Sequence, residues 1–203
     1  YVISKTGFGL GLLIILLIML TVLCVNLQTG EIVLRTKGRH QLSGYAARYL
    51  GKNYKHLMAA AMFTYIGGAL IAYILGVGQA VSNIFGGNKQ IYSIIFFVIM
   101  VSILYFDLNA VALSELFFVL PSIMVLVLIS LISVFHIDLQ NLTYYNPENL
   151  FVPFGGVLFA FLGAVAIPEV VPELKTEKRQ LKHVLTYATI FVGILYTFFA
   201  FTV

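Results

Sequence analysis

Apolar residues come along this chain in six long uncharged runs, over about 8–29, 57–85, 90–106, 115–136, 151–174 and 184–203, with polar and charged residues gathered between them. A helix rises roughly 1.5 Å per residue and the hydrocarbon of a bilayer is about 30 Å thick, so about 20 apolar residues make one crossing. The runs are of that order. The pattern predicts an all-α membrane protein, one domain over 1–203 with six transmembrane helices, the fifth of them (151–174) discontinuous. Between the first two runs, the 36–54 connection has room for a short interfacial helix, with Ser43 placed to cap it and Gly51 to end it. Leu42, Tyr45, Tyr49 and Leu50 would then face the membrane surface, although an ordinary solvated connector fits the same residues. Glu31 and Arg35 are spaced as an i,i+4 ion pair at the end of the first helix.

Composition agrees with the pattern. Of 203 residues 61% are hydrophobic and 10% charged, against roughly 25% charged in a soluble domain. Mean hydropathy is +1.00. The net charge of +4 is set by topology: Arg35, Lys37, Arg39, Arg48, Lys52, Lys55, Lys175, Lys178, Arg179 and Lys182 fall in the first, third and fifth connections, and only Lys5 and Lys89 fall on the other side. Basic residues concentrate on the cytoplasmic side, which puts Tyr1 outside and makes the protein a multi-pass one, expected in the cell membrane, with lipids and not nucleic acid as its charged surroundings. The lone Cys24 excludes an internal disulfide. The run from Phe8 is too long for a signal-peptide core. Opening without methionine and stopping at Val203 inside an apolar run, the chain reads as a fragment.

The densest local signal lies in the fifth run, Phe159-Ala160-Phe161-Leu162-Gly163-Ala164-Val165-Ala166-Ile167-Pro168-Glu169. Pro168 removes a backbone donor and crowds the carbonyl of Ala164, and Gly163 weakens the helix beside it. Counting inward from Phe151, Phe161 to Ala164 fall close to the bilayer midplane. Unwound backbone at that depth implies a cavity, whereas a plain proline kink does not. Glu169 is a candidate coupling carboxylate. A charge at the bilayer centre costs about 3 kcal/mol, but the same count puts Glu169 about 27 Å along the helix, where snorkelling or an ion pair with Lys175 accounts for it.

On the second run, Thr64, Gly68, Ala72, Gly76, Gln79 and Asn83 form a small and polar stripe, flanked by Tyr65 and Tyr73, that suits close helix packing or the wall of a cavity. Thr21, Cys24 and Gln28, and Ser122, Ser130 and Ser133, pose the same choice more weakly. There is no Gly-x-Ser-x-Gly, no His-Glu-x-x-His and no phosphate-cradling loop, so no enzyme, no catalytic residue and no cofactor is expected. His40, His56, His136 and His183 stand at run ends, which argues against a midplane metal site. Asn141-Leu142-Thr143 matches a glycosylation acceptor on the outer side.

Phe159 to Gly163, followed by Ile167-Pro168-Glu169 and Glu173-Leu174-Lys175, resembles the discontinuous sixth helix of amino acid permeases, the amino acid/auxin permease family within the amino acid, polyamine and organocation superfamily. Tyr45 to Lys52 and Gly68 to Gly76 resemble the stretches before and within the family's third helix. The resemblance implies a partial LeuT-like inverted-repeat fold, with the six helices standing for family helices two to seven and the Gly-rich first helix preceding Tyr1. It implies substrate binding at Phe159 as gating aromatic, at the Leu162 carbonyl and at Phe161, Gly163 and Ala164, with Thr64 and Gly68 flanking. Val165 stands where many superfamily members carry a carboxylate, which puts proton coupling through that group in question.

The function so implied is import of an amino acid, neutral or aromatic given the apolar neighbours of Gly163, driven by a proton or sodium gradient through alternating access. A membrane sensor or assembly subunit that kept the fold without transporting is the alternative.

Overall fold

A computed structural model describes residues 3–106, 108–137, 142–174 and 180–202. It has eight α-helices among them: α1 Phe8–Arg35, α2 Leu42–Leu50, α3 Lys52–Phe85, α4 Lys89–Phe106, α5 Leu108–Val134, α6 Val152–Phe161, α7 Ile167–Glu173 and α8 Leu181–Thr202. No strand occurs among the described residues. Five spans, Phe8–Arg35, Lys52–Phe85, Phe117–Val134, Val152–Val171 and Leu181–Thr202, are long and apolar enough to cross a membrane. Lys89–Ile103 is apolar but shorter. Several helices overrun the apolar runs that announce them, because a helix continues into the headgroup region once its backbone ladder is established. Thus α1 extends to Arg35 and α3 begins at Lys52.

The helices pack in two groups. In one, α1 lies against α6, α7 and α8; in the other, α3 lies against α2 and α4, and α5 touches both α4 and α8. α3 and α4 approach closely at Gly78, where a β-carbon would run into Ser93 and the Lys89 carbonyl. Small residues at helix contacts let backbones meet in lipid, where apolar burial alone does not favour association. The glycine that packs is therefore not one of the Thr64–Asn83 stripe. Gly68 and Gly76 face open space, and Gln79 donates instead to Asn83 on its own helix at 2.8 Å.

Two buried clusters hold the first group. Ile14, Ile15, Ile18 and Val22 of α1 close over Phe161, and Val33 packs with Tyr45, Ile167, Val171 and Leu181. The segment between Phe161 and Ile167 thus lies between two cores. Upstream, the Asn146 amide donates to the Thr6 carbonyl at 3.0 Å and Thr6 Oγ1 to the Asn149 carbonyl at 3.3 Å, fixing the starts of α1 and α6 together.

The short helix predicted in the first connection is α2, but two details differ. Its N-cap is Gln41, so Ser43 is inside the helix, and no side chain caps it. Gly51 ends it at φ 104°, a conformation glycine adopts without steric penalty. Tyr45 is 5% exposed, packed in the second cluster and not laid on the membrane, because its position on α2 faces α7; Tyr49 and Leu50 are exposed. Glu31 and Arg35 form the expected pair at 2.5 Å. The Asn141 acceptor, Lys175, Lys178 and Arg179 lie outside the described residues.

Candidate functional site

The fifth span is two helices. α6 stops at Phe161, Leu162 turns extended at φ −70°, ψ 111°, Gly163 follows at φ −139°, ψ 2°, and a single 3-10 turn over Ala164–Ala166 leads into α7. Pro168 is the second residue of α7, a position where no intrahelical N–H is required. Pro153 holds the same place in α6.

The interruption changes which backbone groups have partners. Ala166 donates to the Gly163 carbonyl at 3.0 Å, three residues back instead of four, which releases the Leu162 carbonyl. Tyr65 of α3 donates its hydroxyl to that carbonyl at 3.1 Å. Tyr196 of α8 donates to the Ala160 carbonyl at 3.2 Å. The amides of Gly163, Ala164 and Val165 precede the first i→i+3 bond of the 3-10 turn, so the turn itself supplies them no acceptor. Three successive N–H groups of this kind at the start of a helical segment form a donor surface suited to an anionic group.

Aromatic rings surround this turn on two sides. Phe159, 36% exposed, meets Tyr65 and Tyr73 with ring centroids 6.4 and 5.9 Å away. Phe161 is 7% exposed and turns the opposite way, edge-on to Tyr196 at 5.3 Å within the first buried cluster. Phe161 is therefore the last helical residue and a core residue, not part of the unwound turn to which the permease resemblance assigns it. A β-carbon on Gly163 would meet no atom within 4 Å.

The remaining sequence candidates are placed less centrally. Ala164 starts the 3-10 turn and packs beside the second cluster. Thr64 and Gly68 are exposed on α3, roughly 60–100° around the helix from Tyr65, with open space beside Gly68. Glu169 is exposed and lines a cavity of about 710 Å³ together with Arg39, His40, Ser43, Met62 and Phe63.

The structure adds residues that the candidate set did not contain. Tyr65, Tyr73 and Tyr196 reach the break from α3 and α8; the first two were visible as flanks of the stripe, whereas Tyr196 carried no local signal. Asn26 is 7% exposed on α1, and its Oδ1 is enclosed without a partner among the described residues. It stands one turn after Val22, which packs on Phe161, and two turns before Val33, which packs on Ile167. That places it level with the break. An asparagine within the apolar run of 8–29 was the signal available for it.

Among the described residues no group of three or more His, Cys, Asp or Glu side chains comes together for a metal ion. What the arrangement offers is a polar backbone turn inside a membrane-spanning helix, walled by aromatic rings. Comparison with curated proteins and with solved structures gives no match. The family described as transmembrane amino acid transporter protein matches residues 1–203, so the chain belongs to that family and is an integral, multi-pass membrane protein of amino acid transport.

Proposed function

We propose that the chain forms part of a secondary active importer of neutral or aromatic amino acids, driven by a proton or sodium gradient, with its substrate site at the Leu162–Ala166 break of a LeuT-like fold. The observation that carries this reading is the trio of amides at Gly163, Ala164 and Val165 that the 3-10 turn leaves outside its own hydrogen bonds in the middle of an apolar span. Lipid cannot satisfy such groups, so they call for an occupant with acceptor oxygens, and the carboxylate of an amino acid has that chemistry. The Leu162 carbonyl keeps one lone pair beyond the bond from Tyr65 and stays available to an ammonium group. The enclosed Asn26 Oδ1 is a second acceptor at the same level.

Phe159, with Tyr65 and Tyr73, supplies an apolar wall whose closure would exclude water and favour an apolar substrate side chain. Glu169 is the described carboxylate nearest in sequence to the break and faces a basic cavity, which suits a coupling or gating role. Sidedness follows from the basic connections, with the α1–α2 loop cytoplasmic. The reading involves no covalent chemistry.

Transport by the full-length protein in proteoliposomes tests it. Gly163→Val is expected to lower uptake at least about tenfold at unchanged membrane insertion, because the new side chain enters space that no protein atom occupies and covers these amides. Wild-type uptake by this variant would refute the site. Substrate binding by the wild type without accumulation would identify a sensor instead of a carrier.

A further inference from the structure

Between the end of α1 and the side of α7 lies a cavity of about 500 Å³ lined by Arg35, Lys37, Arg39, Thr36, Tyr45 and Pro168 among others. Three of its described lining residues are cationic and none of them is acidic. From these features we infer that it binds the phosphate of an anionic phospholipid headgroup, a site that does not depend on what the protein transports.

The cations are held in place by a pinned backbone. Thr36, 8% exposed, donates Oγ1 to the Ile32 carbonyl at 2.7 Å and shares a 2.8 Å hydrogen bond with the Tyr49 hydroxyl. Arg48 of α2 donates to the Lys37 carbonyl at 3.1 Å. Gly38 turns the chain at φ 92° between the two loop cations. A loop whose first residues are tied to α1 and α2 holds the backbone that carries Lys37 and Arg39, which lowers the ordering entropy that a solvated charge run would lose on binding.

Charge and depth both favour a lipid phosphate. Of the carboxylates whose side chains are described, Glu31 is paired with Arg35 and Glu169 lies across the adjoining cavity from Arg39, and neither is paired with Lys37. The Arg35 side chain is 76% exposed even while paired, which leaves it able to turn to a second anion. At roughly 1.5 Å per residue the 28 residues of α1 measure about 42 Å, longer than the hydrocarbon, so its Arg35 end reaches headgroup depth. Just below it Ile32 and Leu34 are 41% and 40% exposed, an apolar edge where acyl chains can lie under a bound headgroup. Basic pockets between spanning helices at this depth are suited to anionic lipid.

The test is native mass spectrometry of the full-length protein with phosphatidylglycerol or phosphatidylcholine, for the wild type, Lys37→Gln/Arg39→Gln, and Lys52→Gln/Lys55→Gln. The last pair removes the same charge from the exposed start of α3, outside the cavity. The wild type should prefer the glycerol lipid, and the first variant should lose at least about threefold of that preference while the control loses less than half as much. Lys37→Arg/Arg39→Lys should retain it. Equal loss in both neutralised pairs would mean diffuse attraction and overturn the site, as would no loss in either. Displacement of the lipid by about 1 mM inorganic phosphate would assign the cavity to a soluble anion and overturn the lipid. All substituted positions are exposed, so folding is not at stake.

Discussion

Two spanning segments of this protein carry a proline deep in their apolar run, and they answer it differently. α5 continues unbroken from Leu108 to Val134 through Pro121. The fifth span is broken, but six residues before Pro168 and not at it. In α5 the side-chain bond beside the proline stays within the helix: Ser122 donates Oγ to the Phe118 carbonyl at 2.7 Å, next to the Phe117 carbonyl that Pro121 leaves without its backbone donor. In the fifth span the residues at the interruption are Leu162, Gly163 and Ala164, and the carbonyls they release are taken by hydroxyls from two other helices. Proline alone therefore leaves a helix bent at most; small residues with partners arriving from elsewhere are what divide one. Pro168 then fixes where the second helix begins.

Removing those foreign partners should have the largest effect. Tyr65→Phe combined with Tyr196→Phe is expected to lower uptake in proteoliposomes about tenfold and stability by about 1 kcal/mol in total, at roughly 0.6 kcal/mol per interhelical hydrogen bond. Unchanged uptake would show that the two bonds do not set the geometry of the break. A smaller effect is expected of Pro168→Ala. If the break is set upstream, spin labels at positions 158 and 172 should report an unchanged distance distribution, with uptake reduced about two- to threefold. Shortening toward one continuous helix would make Pro168 the cause after all. Least affected should be Pro121→Ala, with uptake within about twofold of wild type and the unfolding midpoint the same or slightly higher, since restoring one backbone donor adds a hydrogen bond worth about 1 kcal/mol at most.

The break was legible in part, because Gly163 weakens the ladder of its own helix; Pro168, which the sequence also offered as its cause, instead stands in the first turn of α7. The residues that complete the site were not, since Tyr65 and Leu162 are 97 positions apart and their hydrogen bond exists only once α3 is packed. The inward turn of Tyr45 was hidden for the same reason, an aromatic residue on a short amphipathic helix being equally suited to lipid and to a protein core. Of the two readings of the stripe on α3, packing against α4 is the one not met. Its spacing is that of a packing face, but the partner helix lies against Gly78.

The two tyrosine hydroxyls also bear on how fast the segment can rearrange. Each ties the turn to a different helix by one neutral hydrogen bond, and a water molecule can take over either donor role with nearly equal enthalpy. On the transport reading proposed above, rearrangement would proceed by exchanging these partners one at a time without melting a helical turn, and the arrival of water or substrate at the carbonyls of Ala160 and Leu162 would govern it.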